Sequence, residues 1–167
     1  DLHSFPTRRS SDLHEASLYD DNCFITLTYN DDHLPPDGGL RVSHFQDFMK
    51  RLRFKFRPRT IRFFHCGEYG DNYGRPHYHA CLFNFDFPDK KIFKEVNGSR
   101  LYTSDVLDSL WQHKGFCTVG GVTFESAAYV ARYVMKKITG RMAEDYYSRV
   151  DLDTGEIYRI KEEIGRA

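Results

Sequence analysis

The chain has 167 residues, of which 40% are hydrophobic and 16% are aromatic, including 14 Phe and 11 Tyr. This length suits a single domain with its own core, and so many large side chains exclude a disordered polypeptide. The 24 Lys and Arg residues balance the 24 Asp and Glu residues, so net charge alone indicates no anionic partner.

The four cysteines lie far apart and form no CxxC pair. The sequence therefore favours reduced thiols over a zinc knuckle or a disulfide framework. No apolar run is long enough to span a bilayer, and no apolar segment has the flanks of a secretory signal. We therefore expect an intracellular protein without a membrane partner.

Three regions are predicted along the chain. Asp1–Leu13 is polar, rich in Ser and Arg, and aperiodic, so we expect either a disordered basic arm or a non-native segment. Residues 14–145 carry the periodic segments and are predicted to form one domain. Residues 146–167 are predicted to be a charged tail that is a truncated continuation.

The first half of the domain alternates strand and helix signals. Cys23–Tyr29 is β-branched and aromatic and is predicted to be a strand. Ser43 is predicted to cap an amphipathic helix that ends before Pro58. Ile61–Gly67 and His77–Phe87 are predicted to form a hairpin around the glycine-containing turn between them.

The second half predicts two further helices and a strand. Ser104 is expected to cap a short helix that ends near Gly115, and Phe116–Phe124 is expected to be a strand kinked at its glycines. Glu125–Ile138 is predicted to be a helix. This order favours an α+β fold, with helices packed on a mainly antiparallel sheet.

One segment concentrates positive charge. Between Arg41 and Phe63 the only acid is Asp47, and the basic residues alternate with phenylalanines. This pattern predicts a surface that faces DNA phosphates, although a merely solvated basic face is the alternative. The predicted DNA-binding residues, with two arginines from later in the chain, are Arg51, Arg53, Lys55, Arg57, Arg59, Arg75 and Arg132.

A candidate metal site lies in the predicted hairpin. Side chains alternate along a strand, so His77 and His79 share one face, and the hairpin places Glu68 opposite His77. Two nitrogens and a carboxylate oxygen would suit Mg²⁺ or Mn²⁺ and leave positions open for phosphate and water. A surface or core histidine pair is the alternative. The same alternation turns His65 away from the site, as a structural histidine.

A pair of tyrosines forms the second candidate constellation. Tyr129 and Tyr133 are four residues apart on one face of a predicted helix, and Lys136 and Lys137 follow. A phosphodiester could approach both phenols without repulsion. A tyrosine stripe packed in the core is the alternative.

Three blocks together resemble a known family. Phe24–Tyr29 (FITLTY), Gly67–His79 with its GEYG and RPHYH segments, and Tyr129–Lys136 (YVARYVMK) resemble the motifs of HUH endonucleases, especially the rolling-circle initiators of Microviridae of the gokushovirus type. The resemblance implies a ferredoxin-like or RRM-like core. It also implies nicking and rejoining of single-stranded DNA at a phage replication origin, through a 5′-phosphotyrosine and with Mg²⁺ or Mn²⁺.

The resemblance assigns roles to these residues. Glu68, His77 and His79 would hold the metal, while Tyr129 and Tyr133 would be nucleophiles assisted by Lys136 and Lys137. We expect Tyr133 to attack first because the lysines follow it. The implied partners are host helicase and polymerase in the cytoplasm of an infected bacterium. A non-catalytic single-strand binder and a metal-dependent hydrolase that uses water are the alternatives.

Overall fold

The computed structural model describes residues 16–70, 74–135, 148–150 and 157–159. The described strands are β1 (Asn22–Leu27), β2 (Arg62–Tyr69), β3 (Pro76–Phe83), β4 (Lys91–Val96), β5 (Ser99–Thr103), β6 (Cys117–Gly120), β7 (Ser148–Val150) and β8 (Ile157–Arg159). The helices are α1 (Val42–Lys55), α2 (Asp105–Leu110) and α3 (Phe124–Met135), and a short 3-10 helix spans Asp31–His33.

The first six strands form one sheet in the order β2-β3-β1-β6-β5-β4. Every neighbouring pair in this sheet is antiparallel. β1 lies in the interior of the sheet, between β3 and β6, and therefore connects the β2–β3 hairpin to the other half. The predicted α+β class with a mainly antiparallel sheet is confirmed.

Helices cover both faces of the sheet, and alternation along each strand decides which side chains meet which helix. Cys23, Ile25 and Leu27 of β1 are fully buried on the face that carries α1. On the other face Val130 of α3 packs among Phe64, Cys66, Cys81 and Phe83. We call these two sides the α1 face and the α3 face.

Helix α1 buries one stripe of large side chains and begins earlier than predicted. Its buried residues follow the helical spacing and are Phe45, Phe48, Met49 and Leu52. The predicted Ser43 cap is wrong, because Arg41 occupies the N-cap position without a side-chain cap bond. The Arg41 backbone N–H donates to the Tyr78 hydroxyl over 2.7 Å, and that hydroxyl donates to the Arg41 carbonyl over 2.8 Å. These bonds to β3 fix the start of the helix.

The cap of helix α2 agrees with the sequence. The Ser104 hydroxyl oxygen accepts a hydrogen bond from the backbone N–H of Leu107 over 3.0 Å. The hydroxyl donates in turn to the Asp89 carboxylate over 2.5 Å. The prediction that Ser104 caps a short helix is confirmed, although α2 ends at Leu110, before the expected Gly115.

The β4–β5 hairpin is absent from the predicted elements. Its turn is Asn97–Gly98, and both residues have positive φ, 49° and 77°. Asn-Gly favours this two-residue turn because both residues tolerate left-handed backbone. All of β4 is exposed, so the strand lacks the alternation of apolar and polar residues from which strands are predicted.

Two predicted strands are shorter in the structure. β3 ends at Phe83, before the predicted Phe87, because Asn84 takes a left-handed φ of 61° that breaks the extended backbone. β6 covers only Cys117–Gly120, and helix α3 already begins at Phe124. The predicted helix end at Ile138 lies outside the described residues.

His65 lies on the α1 face, as predicted. Its ring stacks on Phe45, with ring centroids 4.1 Å apart and planes within 2°. The side chain is buried, and its Nδ1 has no hydrogen-bond partner among the described residues. Burial lowers the pKa of His65 to about 4, so it is neutral in the folded protein at neutral pH.

Acidification should therefore destabilise the fold through His65. The pKa of His65 is lowered in the folded state, so the unfolded chain takes up the proton more readily and stability falls between about pH 6.5 and about pH 4. We expect His65→Phe, which keeps a ring beside Phe45, to remove about 1.5 kcal/mol of the stability lost between pH 6.5 and 5. Urea unfolding at both pH values measures this.

The exposed His33 provides the control for this experiment. His33→Gln should leave the dependence of stability on pH unchanged, because that side chain contacts water in both states. Parallel stability curves for the wild type and His65→Phe would contradict the assignment.

The remaining described segments add one small ladder. β7 and β8 pair antiparallel, with Arg149 opposite Tyr158. The predicted tail thus contains two short strands, which its charged sequence did not indicate. The predicted arm at Asp1–Leu13 lies outside the described residues. No helix in the described part of the chain is long and apolar enough to cross a membrane.

Candidate active site

The β2–β3 register brings three polar side chains together on the α3 face. Glu68 of β2 lies directly opposite His77 of β3, and His79 lies opposite Cys66. On the other side of β3, His79 is opposite Thr26 of β1. The predicted clustering of Glu68, His77 and His79 on one face is confirmed, because one ligand atom from each lies within 4.8 Å of the others.

Three donors converge on a single carboxylate oxygen. His77 Nε2 lies 2.5 Å and His79 Nε2 lies 3.1 Å from Glu68 Oε1. The Tyr129 hydroxyl donates to the same oxygen over 2.6 Å. The cluster therefore contains two imidazoles, one carboxylate and one phenol from three separate elements.

Helix α3 places Tyr129 over the cluster. Ala127, Ala128 and Val130 are buried, and the small alanines allow the helix to lie close to the sheet. The Tyr129 ring stands edge-on to His79, with centroids 5.0 Å apart and an interplanar angle of 82°. This packing directs the phenol towards Glu68.

The cluster keeps its carboxylate charged and one histidine neutral. Burial alone would raise the pKa of Glu68, but hydrogen bonds from His77, His79 and Tyr129 hold it well below its usual range. Burial lowers the pKa of His79 despite the neighbouring carboxylate. An ionised carboxylate and a neutral imidazole are the forms that bind metal ions.

Outer contacts orient both histidines so that their Nε2 atoms face the cluster. His77 Nδ1 lies 3.1 Å from the Arg75 carbonyl, which can only accept a hydrogen bond. His79 Nδ1 lies 2.9 Å from Thr26 Oγ1. Phe24 stacks on the His79 ring, with centroids 5.6 Å apart and planes within 8°. Metal-binding histidines are usually held by such contacts to their second nitrogen.

The residues present fit a divalent cation. Glu68 Oε2 is buried and has no hydrogen-bond partner among the described residues. A buried carboxylate oxygen without a partner is costly unless something else binds it. Two imidazole nitrogens and a carboxylate form a mixed donor set that suits Mn²⁺ and, with more water, Mg²⁺.

Thr26 should tune the metal affinity, a role that strand periodicity alone did not indicate. Thr26→Val keeps the shape of the side chain but removes the oxygen that faces His79 Nδ1. We expect Mn²⁺ to bind about tenfold more weakly, measured by titration calorimetry, because the imidazole loses its orienting partner. Thr26→Ser retains the hydroxyl and should bind nearly as tightly as the wild type. Equal weakening by both variants would contradict this role.

An open cleft of about 950 Å³ adjoins the cluster on the α3 face. His79 and Tyr129 line one part of it, and β1, β5, β6 and the start of α3 supply most of the rest. Its Lys and Arg side chains are Lys90 and Arg100, and its acids are Asp86, Glu95 and Glu125. The cleft is thus accessible to a flexible substrate and carries both signs of charge.

The other predicted site residues are not all brought to this cluster. Tyr133 and Arg132 belong to α3, but their side chains lie outside the described part of the structure, as do Lys136 and Lys137 altogether. Arg75 contacts Asp31 over 2.9 Å and the Tyr29 carbonyl over 3.0 Å. It therefore has intramolecular partners at the edge of the site.

The predicted DNA-binding arginines of α1 also hold intramolecular contacts. Arg51 Nε donates to the Leu110 carbonyl over 2.8 Å. Arg53 donates to the Ile61 carbonyl through Nε and Nη2, over 3.1 and 2.8 Å. Arg59 pairs with Asp21. α1 covers the opposite face of the sheet, so these residues are separated from the Glu68 cluster by the sheet itself.

Comparison with known proteins identifies the family. The family model for replication-associated protein ORF2 matches residues 22–138, which include all of the cluster. The chain belongs to this family. This agrees with the resemblance to Microviridae initiators, which is confirmed at the level of the family.

Three curated relatives support the assignment. The chain is 41% identical over 141 residues to replication-associated protein VP4 of Bdellovibrio phage phiMH2K, a match that covers 80% of this chain and 44% of VP4. It is 39% identical over 125 residues to replication-associated protein ORF2 of Spiroplasma virus 4, covering 70% of this chain and 39% of that protein. It is 35% identical over 144 residues to replication-associated protein ORF4 of Chlamydia phage 1, covering 78% and 35%.

The chain thus spans less than half the length of each of these relatives. No solved structure is significantly similar to it. The relatives' names support a role in phage replication.

Proposed function

We propose that this chain nicks and rejoins single-stranded DNA at a phage replication origin, with Tyr129 as the first nucleophile. The observation that carries the proposal is the Tyr129 hydroxyl, which lies 2.6 Å from a carboxylate shared with His77 and His79. A phenol beside a metal-binding cluster suits covalent attack on a phosphodiester. This differs from the first attack by Tyr133 that the lysine positions favoured.

The proposed step exchanges one phosphate ester for another. The Tyr129 oxygen forms a bond to the scissile phosphorus, and the bond from phosphorus to the 3′-oxygen breaks. The phenol gives up its proton, with Glu68 positioned to accept it, and the leaving 3′-oxygen gains a proton to become a hydroxyl. Rejoining reverses these changes, so no ATP is required. The free 3′-hydroxyl would serve a host polymerase.

Glu68, His77 and His79 would hold a divalent cation, Mg²⁺ or Mn²⁺. When bound, such an ion supplies Lewis-acid stabilisation of charge on the phosphate oxygens. The chain's own residues do the positioning: Thr26 and the Arg75 carbonyl fix the two imidazoles, while α3 holds the phenol over them. An ordinary phenol has a pKa of about 10, so developing phenolate needs this electrostatic support.

Residues beyond the described side chains complete the proposal. Tyr133 lies one helical turn after Tyr129 and would accept the second strand when a circle is resolved. Lys136, Lys137 and Arg132 would add positive charge near the phosphate. Host helicase and polymerase in the infected bacterial cytoplasm would be the partners of the whole protein.

The alternatives account for less of the geometry. A non-catalytic single-strand binder gives no reason for a buried carboxylate, two imidazoles and a phenol to converge. A metal-dependent hydrolase would use the histidines and the carboxylate, but it gives Tyr129 no role in the reaction. The tyrosine nucleophile uses all four side chains.

The decisive experiment is incubation with single-stranded phage DNA and Mn²⁺, followed by denaturing electrophoresis. We expect a protein-linked DNA fragment that survives denaturation and is absent in EDTA. DNA cleaved without a covalent adduct would support the hydrolase, and bound but uncleaved DNA would support the single-strand binder.

A further inference from the structure

A second, strongly basic groove lies where the end of α1 meets α2. Its volume is about 860 Å³, and the residues that line it are Lys50, Arg51, Arg53, Phe54, Lys55, Arg57, Ser109 and Leu110. We call it the α1 groove. Among these lining residues there is no Asp or Glu, so their positive charges face one another without an acid in the groove wall.

Backbone hydrogen bonds fix two of the guanidinium groups. Arg51 Nε donates to the Leu110 carbonyl of α2, and Arg53 donates twice to the Ile61 carbonyl before β2. Each contact leaves other N–H groups of the guanidinium outside that bond. The two arginines are therefore held rigid, and a ligand would not have to order them on binding.

An exposed aromatic ring stands among these cations. Phe54 is 66% exposed, although it belongs to a helix whose other large apolar residues are mostly buried. The Arg57 guanidinium lies over its ring, 4.3 Å from the centroid. A ring and a guanidinium plane that face solvent together form the kind of platform on which unpaired bases stack.

The α1 groove differs in charge from the cleft beside Tyr129. That cleft is lined by Lys90 and Arg100 but also by Asp86, Glu95 and Glu125. Within the described residues, the charged side chains that line the α1 groove are all cationic, whereas those of the cleft are mixed. Binding of a phosphate backbone is driven by neutralising many phosphates, which the α1 groove can do and the cleft can do only weakly.

We propose that the α1 groove is a separate binding site for single-stranded DNA, on the opposite side of the sheet from the nicking centre. Its cations contact phosphates and Phe54 stacks on a base, so it holds a segment of strand distant from the scissile bond. Only the identity of the bound polymer rests on the proposed function.

The test measures binding rather than cleavage. Fluorescence anisotropy of labelled oligothymidine is recorded in EDTA over a series of salt concentrations, with the whole chain. We expect Phe54→Ala to weaken binding about tenfold, because stacking contributes about 1 to 3 kcal/mol per base. Phe54→Trp should restore it. Arg57→Gln should lower the slope of log affinity against log salt by about 0.7, the value for one contact to a single strand.

A second ring and cation pair supplies the matched control. Lys94 Nζ lies 5.7 Å from the centroid of the exposed Phe93 ring on β4, outside the α1 groove. Phe93→Ala and Lys94→Gln remove the same groups from the surface and should leave the affinity and the salt slope unchanged. Equal losses in both pairs, or no loss at Phe54 and Arg57, would overturn the proposal.

Two further arms separate the outcomes. Duplex DNA of equal length should bind less tightly and ignore Phe54→Ala, since its bases are not free to stack; equal sensitivity of duplex and single strand would overturn the assignment to unpaired DNA. Because all binding is measured without metal, loss at Phe54 supports the groove even if no adduct forms. Adduct formation with unaltered binding by the groove variants would overturn the groove alone.

Discussion

Replacing Tyr129 with Phe is expected to reduce covalent adduct formation by at least about a thousandfold, because it removes the attacking oxygen and leaves the ring in place. The Tyr129 phenol contacts Glu68 and its ring contacts His79. Single-turnover reactions with labelled single-stranded DNA and Mn²⁺ measure the rate. Any adduct that remains should be attached to Tyr133, and the double Phe variant should form none.

Tyr102 offers a matched control, since it lines the same cleft but does not belong to the Glu68 cluster. Tyr102→Phe should form adduct at nearly the wild-type rate. Mass spectrometry of digested adduct should place the nucleotide on the peptide that contains Tyr129. Full adduct formation by folded Tyr129→Phe, with the nucleotide on Tyr133, would reverse the order of the two nucleophiles.

The metal cluster was accessible from sequence because it is local. Glu68 and His77 lie nine positions apart across one turn, and His77 and His79 share a face by strand alternation alone. The observed register, with Glu68 opposite His77, follows from the same hairpin. Strand alternation also placed His65 on the other face, where it stacks on Phe45.

The contacts from other elements were not accessible in this way. Thr26 meets His79 only because β1 pairs with β3, and they are 53 residues apart in the chain. The position of Tyr129 over Glu68 depends on how α3 packs on the sheet, which helical periodicity does not fix. The motif around Phe24–Tyr29 marked the segment without indicating what Thr26 contacts.

The basic segment shows a different limit. Its composition predicted a phosphate-binding surface, but charge along a sequence does not show which face of the fold carries it. The apolar stripe of α1 packs on the sheet face opposite the cluster, so the arginines are turned away from it. The β4–β5 hairpin illustrates the converse, since the Asn97–Gly98 turn was readable but the fully exposed β4 lacked the alternation expected of a strand.

Replacing Glu68 with Gln is expected to weaken Mn²⁺ binding by at least about a hundredfold and to slow adduct formation about a thousandfold. Gln has nearly the same shape but no charge, and its amide nitrogen would face donors where a carboxylate now accepts from His77, His79 and Tyr129. Calorimetric titration with Mn²⁺ gives the affinity, and single-turnover adduct formation gives the rate.

The acids in the neighbouring cleft separate a ligand from a general electrostatic effect. Glu95 and Glu125 line the cleft but lie outside the metal cluster. Each substitution by Gln also removes one negative charge, yet Mn²⁺ affinity should change by less than about threefold because neither side chain belongs to the cluster. If Glu68→Gln bound Mn²⁺ as tightly as these two variants, the ion would be held elsewhere. Tyr129 would then need another source of phosphate activation, and the proposed nicking centre would fail at its first requirement.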